Sequence, residues 1–178
     1  MGHNLFFGLF PDAATRIRLA RAIELLQAGA PLQGRWVNPA RHHLTLHFLG
    51  SYPELPCERI AAACSAATQV AVPPFELVLD RAGHFAHGVG WLGCARAGAH
   101  LQSLWAQLHE ALARAGVEPK GHARFIPHVT VLRDARQPLP ARPITPVVWP
   151  VREFVLIDSV LGAHGDYRPA GRWELGPA

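Results

Sequence analysis

The tetrapeptides His43-Leu44-Thr45-Leu46 and His128-Val129-Thr130-Val131 repeat one pattern, His-apolar-Thr-apolar, 85 residues apart in a chain of 178. A repeat spaced by about half the chain predicts two similar lobes, each carrying one copy. In a β-strand, residues i and i+2 leave the same face about 6.5–7 Å apart. Each copy therefore puts an imidazole and a hydroxyl on one side and two aliphatic side chains on the other. An approximate twofold between the lobes would set the two strands on opposite sides of one groove, with two His and two Thr around a common centre.

The rest of the chain supplies elements for such an arrangement. Leu5 to Phe10 reads as a strand that stops at Pro11-Asp12, with Asp12 capping a helix to about Ala28 whose apolar face is Leu19, Ile23 and Leu26. An extended region starts near Trp36 and includes His43 to Leu49, Gly50 to Pro56 is a loop, and a helix spans about Glu58 to Thr68. A strand from Phe75 to Leu79 leads into a glycine-punctuated hairpin with Val89, Trp91 and Leu92. Leu101, Leu104, Trp105, Leu108 and Leu112 form a helical stripe read as core, and Gly116 sits where a terminating glycine belongs. An extended run from Phe125 to Leu132, a Pro-rich connection from Pro138 to Pro150, and strands at Val151 to Ile157 and Arg172 to Leu175 complete the chain. This order predicts an α+β fold, with residues 1–178 forming one bilobal domain.

Composition narrows the function. No apolar run approaches the ~20 residues that span a bilayer, and the first residues lack the basic and apolar regions of an export signal, so a soluble, cytoplasmic protein is expected. Cys57, Cys64 and Cys94 include no C-x-x-C pair, which argues against a zinc ribbon or a disulfide framework. Sixteen of the seventeen basic residues are Arg, Lys120 being the only Lys, and the net charge is +4, compatible with an anionic ligand. No G-x-G-x-x-G or G-x-x-x-x-G-K-[ST] is present to cradle a nucleotide.

Two imidazoles and two hydroxyls suit a phosphodiester. One histidine, near its ordinary pKa of about 6.5, can accept a proton while its partner donates one, so displacement at phosphorus needs no metal. The hydroxyls can hold the non-bridging oxygens as charge spreads onto them.

With these flanking contexts, the sequence resembles the 2H phosphoesterase superfamily, specifically the RNA 2′,3′-cyclic phosphodiesterases also called 2′-5′ RNA ligases. The resemblance is carried by Leu5-Phe6-Phe7-Gly8-Leu9, Trp36-Val37, His43 through Gly50, Trp91-Leu92-Gly93, Phe125 through Arg133, and Phe154 to Ser159 with Gly165, Tyr167 and Trp173. It implies two pseudo-symmetric lobes of antiparallel strands, helices on the outer faces and a central groove. It also implies a monomeric, cofactor-independent enzyme acting on RNA ends or nucleotides bearing a 2′,3′-cyclic phosphate and giving a 2′-phosphate. His43 would be the proton donor and His128 the acceptor, and reversible 2′-5′ ligation to a 5′-hydroxyl would be a secondary activity of the same site. Thr45, Thr130 and Arg133 would bind the phosphate. By strict alternation Arg133 falls on the wrong face, so the strand must bulge or end near Leu132. His47 stands where the family commonly has Lys or Arg; alternation puts it at the groove entrance, where its phosphate binding would depend on pH. Arg124 shares parity with His128 and is a further phosphate candidate.

Competing readings have discriminators. Another ribose cyclic phosphate or a 2′-5′-linked oligonucleotide is the alternative substrate, and a non-catalytic RNA- or nucleotide-binding module is the alternative class. His43-x-x-x-His47 could share a zinc only on a helix, and its surroundings alternate as a strand; His84 and His87 read as hairpin residues rather than a metal pair. His42 points away from His43. His3, His100, His109, His122 and His164 show no ligand spacing. Trp36, Phe85 and Trp91 are candidates both for packing and for base stacking.

Overall fold

Local signals place the helices where the sequence puts them. In the computed structural model, which describes residues 2–29, 32–121, 125–160, 162 and 166–176, Asp12 Oδ1 accepts the Thr15 N–H at 2.7 Å and opens α1 (Ala13–Gly29). Leu19, Ile23 and Leu26 form its buried face. Helix α2 is Cys57–Ala67 and α3 is Ala99–Arg114. The latter ends as its glycine predicts: Gly116, at φ +69°, donates to Ala113, and Val117 N–H returns to the Leu112 carbonyl at 2.9 Å. Arg124, His122, His164 and Gly165 lie outside the described residues. Among the described residues, no helix is long and apolar enough to cross a membrane.

The strands are β1 (His3–Leu9), β2 (Arg35–Trp36), β3 (Leu44–Tyr52), β4 (Phe75–Phe85), β5 (Val89–Gly93), β6 (His128–Arg133), β7 (Arg142–Val151), β8 (Glu153–Val160) and β9 (Tyr167–Glu174). They form one antiparallel sheet in the order β7-β4-β5-β6-β3-β1-β8-β9, with β2 also on β6. Outward from the centre, β6-β5-β4-β7 mirrors β3-β1-β8-β9. Each motif strand follows a strand and a helix, β1-α1 before β3 and β5-α3 before β6. The two lobes are thus the halves of a continuous sheet. The motif strands, expected across a groove from each other, are instead neighbours that meet at Leu44↔Val129.

A second correction concerns the Pro-rich segment, which contains β7 rather than a connection. Proline removes a backbone donor, which an edge strand tolerates on its unpaired side, and β7 is an edge. Its alternate residues Val147, Trp149 and Val151 are buried, and that period-two pattern holds the strand in place. Helix α1 packs on β7, α2 on β9 and α3, and α3 on β3 and β4, so the helices tie the two halves together.

Candidate active site

The central register builds the site. Leu44 and Val129 are opposite each other and fully buried. Continuing that antiparallel register by one residue each way sets His43 opposite Thr130 and Thr45 opposite His128. All four side chains leave the face away from Leu44 and Val129. The result is a square with histidines on one diagonal and threonines on the other. On β1, Gly8 lies in register with Thr45, and a methyl group there would stand 3.0 Å from the Leu44 carbonyl oxygen. Glycine therefore lets β1 lie close beside the square.

Both histidines are seated alike. His43 Nδ1 lies 2.7 Å from the Arg41 carbonyl oxygen, and His128 Nδ1 lies 2.7 Å from the Ile126 carbonyl oxygen, in each case two residues back. A carbonyl only accepts, so Nδ1 donates, and Nε2 is left as the atom that gains or loses a proton. Burial pushes His43 down to about 4, against the Arg41 hydrogen bond, and the charges of Arg133, His128 and Arg41 add to the lowering. Burial also lowers His128, again opposed by its carbonyl bond and reinforced by Arg133. Their surroundings differ. The rings of Phe6, Phe10 and Tyr167 stand 4.8, 5.6 and 5.5 Å from His43, whereas among the described residues Phe85 alone approaches the ring of His128, edge-on at 4.8 Å. Arg41 in turn packs over Tyr167 at 4.5 Å.

Arg133 meets the condition its parity imposed. The β5–β6 register shifts between Gly90 and Trp91, so that Val131 and Leu132 are both buried in succession and Arg133 is exposed beyond them. The extra residue returns Arg133 toward the face of His128 and Thr130. Its charge acts on both imidazoles.

His47 requires correction. It borders the cavity described below, yet it is 4% exposed; its Nε2–H donates to the Trp105 carbonyl at 2.9 Å and its ring stacks on Trp105. Burial holds its pKa near 4, and its Nε2–H is committed to the Trp105 carbonyl, so this ring is packed against α3 rather than offered to a phosphate. Alternation placed His47 on the motif face, but the β1–β3 register shifts between Phe7 and Gly8, so that Leu46 and His47 are buried in succession and His47 pairs with the core residue Phe7. His42 is buried at 1% exposure. His84 lies in β4 with Nδ1 on the Leu139 carbonyl, and no cluster of three metal-ligating side chains occurs among the described residues.

The depressed histidines link stability to acid. His43 and His47 each have a folded pKa near 4 against an ordinary value of 6.5, so below 6.5 the unfolded chain binds more protons. Their contribution is complete above pH 6.5 and is lost as pH falls toward 4. The urea midpoint should drop across that window, and His47→Phe should make the drop shallower by about one proton. An unchanged slope in His47→Phe would contradict the assigned seat of this ring.

A cavity of about 1040 Å³ opens on this face, bordered by Thr45, His128, Phe85, Trp105, Phe125 and Lys120. A separate cavity of about 760 Å³ lies beyond Phe10 and Tyr167, lined in part by Arg16, Arg152 and Arg172. It holds none of the motif residues. The aromatic surround of His43 was hidden in sequence because Phe6 and Phe10 read simply as strand residues; their period of two with Gly8 is the signal that puts them on one face.

The 2′-5′ RNA ligase superfamily model matches residues 10–162. The RNA 2′,3′-cyclic phosphodiesterase of Escherichia coli (strain K12) is 35% identical over 149 residues, covering 82% of both chains. The RNA 2′,3′-cyclic phosphodiesterase of Thermus thermophilus is 32% identical over 175 residues, 91% of this chain and 84% of the relative. Among solved structures, E. coli LigT complexed with 3′-AMP superposes with a TM-score of 0.82 at 32% identity, covering 98% of this chain and 99% of LigT. TT0787 of T. thermophilus gives 0.74 at 26% identity, covering 97% of each.

Proposed function

The chain belongs to the 2′-5′ RNA ligase superfamily, and from that membership we propose that it is an RNA 2′,3′-cyclic phosphodiesterase that opens a terminal 2′,3′-cyclic phosphate to a 2′-phosphate. The observation that carries this reading is the paired seating of His43 and His128: each Nδ1 is tied to a carbonyl, both Nε2 atoms remain for proton transfer, and the rings flank one diagonal of a four-residue square.

His128 Nε2 takes a proton from water as the water oxygen attacks phosphorus. The bond from phosphorus to O3′ breaks, and His43 Nε2 delivers its proton to O3′. The product keeps its phosphate on O2′, and the two rings have exchanged protonation states. Thr45 and Thr130 donate to the non-bridging oxygens, and Arg133 offsets their charge. Both proton transfers are met by side chains, so the step calls for no cofactor. The same step with a 5′-hydroxyl attacking phosphorus in place of water, and O3′ leaving with the proton from His43, forms a 2′-5′ linkage, which makes ligation the secondary activity.

His43 is neutral in the empty site at physiological pH, because burial holds it near 4. An anionic cyclic phosphate beside it favours the charged ring, so binding supplies the proton donor its charge. Both halves of the groove come from one chain, which supports a monomer as the working unit; we place its action in the cytoplasm, on RNA ends.

The decisive test is incubation, in the presence of a chelator, with an oligonucleotide ending in a 2′,3′-cyclic phosphate. The 2′-monoester is expected. A 3′-monoester would reverse the assigned bond cleavage, and no turnover without added metal would remove the two-histidine mechanism.

A further inference from the structure

The cavity is larger than the reaction requires. Its volume of about 1040 Å³ lies at the upper limit for pockets that enclose a whole small molecule. Only one end of it, at Thr45 and His128, belongs to the motif square. The other end is a wall of rings: Trp105 stacks on His109 and on Phe125, each at 5.4 Å and 12° between planes, and on His47 at 5.0 Å.

Phe125 packs against the core, but the core does not account for Trp105. In α3, Leu101, Leu104, Leu108 and Leu112 are essentially inaccessible, while Trp105 at the edge of the same stripe is half-buried and His109 is exposed. Trp105 therefore presents surface to the cavity that its leucine neighbours do not. The wall begins close to the chemistry, since one cavity is bordered by Thr45 and His128 as well as by Trp105 and Phe125, and Trp105 stacks directly on His47. A cation completes it. Lys120 borders the same end, and its backbone N–H is fixed to the Phe48 carbonyl at 2.7 Å, which anchors that segment to β3.

Nearly parallel rings beside a cation, continuous with a phosphate site, match a nucleobase and its phosphodiester. We infer that Trp105, His109, Phe125 and Lys120 form a second-nucleotide subsite, which holds the base and phosphodiester immediately upstream of the cyclic end. The inference rests on the phosphodiesterase reading and deepens it: the preferred substrate is an oligoribonucleotide end rather than a free cyclic mononucleotide. Stacking on rings tolerates every base, so the subsite selects for chain length and not for sequence.

The test compares kcat/KM for a 2′,3′-cyclic mononucleotide with that for a tetranucleotide ending in the same cyclic nucleotide. The wild-type protein should favour the tetranucleotide by about tenfold or more. Trp105→Leu and, separately, Phe125→Leu should collapse that ratio toward one. Lys120→Ala should lower the ratio and weaken its dependence on salt, as loss of one phosphate contact requires. Because each result is a ratio within one protein, a partly unfolded variant does not imitate it. A wild-type ratio near one, or a ratio that survives all three substitutions, would overturn the subsite. Turnover of neither substrate by the wild-type protein would bring down the phosphodiesterase reading itself, and the subsite with it.

Discussion

His43→Ala and His128→Ala should each reduce turnover of a cyclic phosphate by about a thousandfold, within the range of a lost general acid or base, while substrate binding weakens only modestly. The pH dependence separates the two roles. His128 must be neutral to accept a proton, so its titration sets the limb along which kcat/KM rises with pH. His43 must be charged to donate, so its titration sets the limb along which kcat/KM falls. Both groups are pushed down by burial, and the profile for the free enzyme lies on the acid side of an ordinary pair of histidines. Once substrate is bound, its anion favours charged His43, and the falling limb of kcat moves to higher pH than that of kcat/KM. The limbs belong to the pair until one partner is removed. In His128→Ala the rising limb should disappear from the residual rate, and in His43→Ala the falling one. A binding module with this fold would show no turnover to lose. Retention of a tenth or more of wild-type turnover by either variant would end the acid–base assignment.

The polar face of this site was legible in sequence because strand geometry leaves little freedom. Alternation forces His43 and Thr45 to one side and Leu44 and Leu46 to the other, and the same holds for the second copy. Arg133 shows how far the rule extends: parity put it on the wrong face, which required an extra residue near Leu132, and the β5–β6 register shift supplies one. Features that depended on what packs against a strand were not legible. His47 was expected on the motif face, but the β1–β3 register shift at Phe7 and Gly8 turns it toward the core, where the Trp105 carbonyl on α3, 58 residues later in the chain, holds it. Trp105 satisfied the helical stripe so well that nothing local marked it as a cavity wall. The prolines of β7 read as a connection because proline content is local, whereas edge position is a property of the whole sheet. The repeat implied two lobes but could not distinguish strands facing across a groove from strands paired side by side.

The threonines should prove nearly as consequential as the histidines. Each lies opposite the histidine of the other copy, so two hydroxyls approach the phosphate from the diagonal that the imidazoles do not occupy. Charge on the non-bridging oxygens changes as water adds and O3′ leaves, and a fixed donor aimed at that charge acts mainly on the transition state. Thr45→Val and Thr130→Val should therefore lower kcat by about a hundredfold each, by analogy with loss of one oxyanion donor, with a smaller change in KM. Valine keeps the branched shape that a pleated strand favours, so thermal stability should stay close to wild type and the loss cannot be ascribed to unfolding. Thr45→Ser and Thr130→Ser retain the donor and should recover most of the rate. Both hydroxyls serve one phosphate, so the double valine variant should lose less than the product of the single losses. If the valine variants kept wild-type kcat and raised only KM, the hydroxyls would be ground-state anchors. Transition-state stabilisation would then have to come from Arg133 and the imidazoles alone.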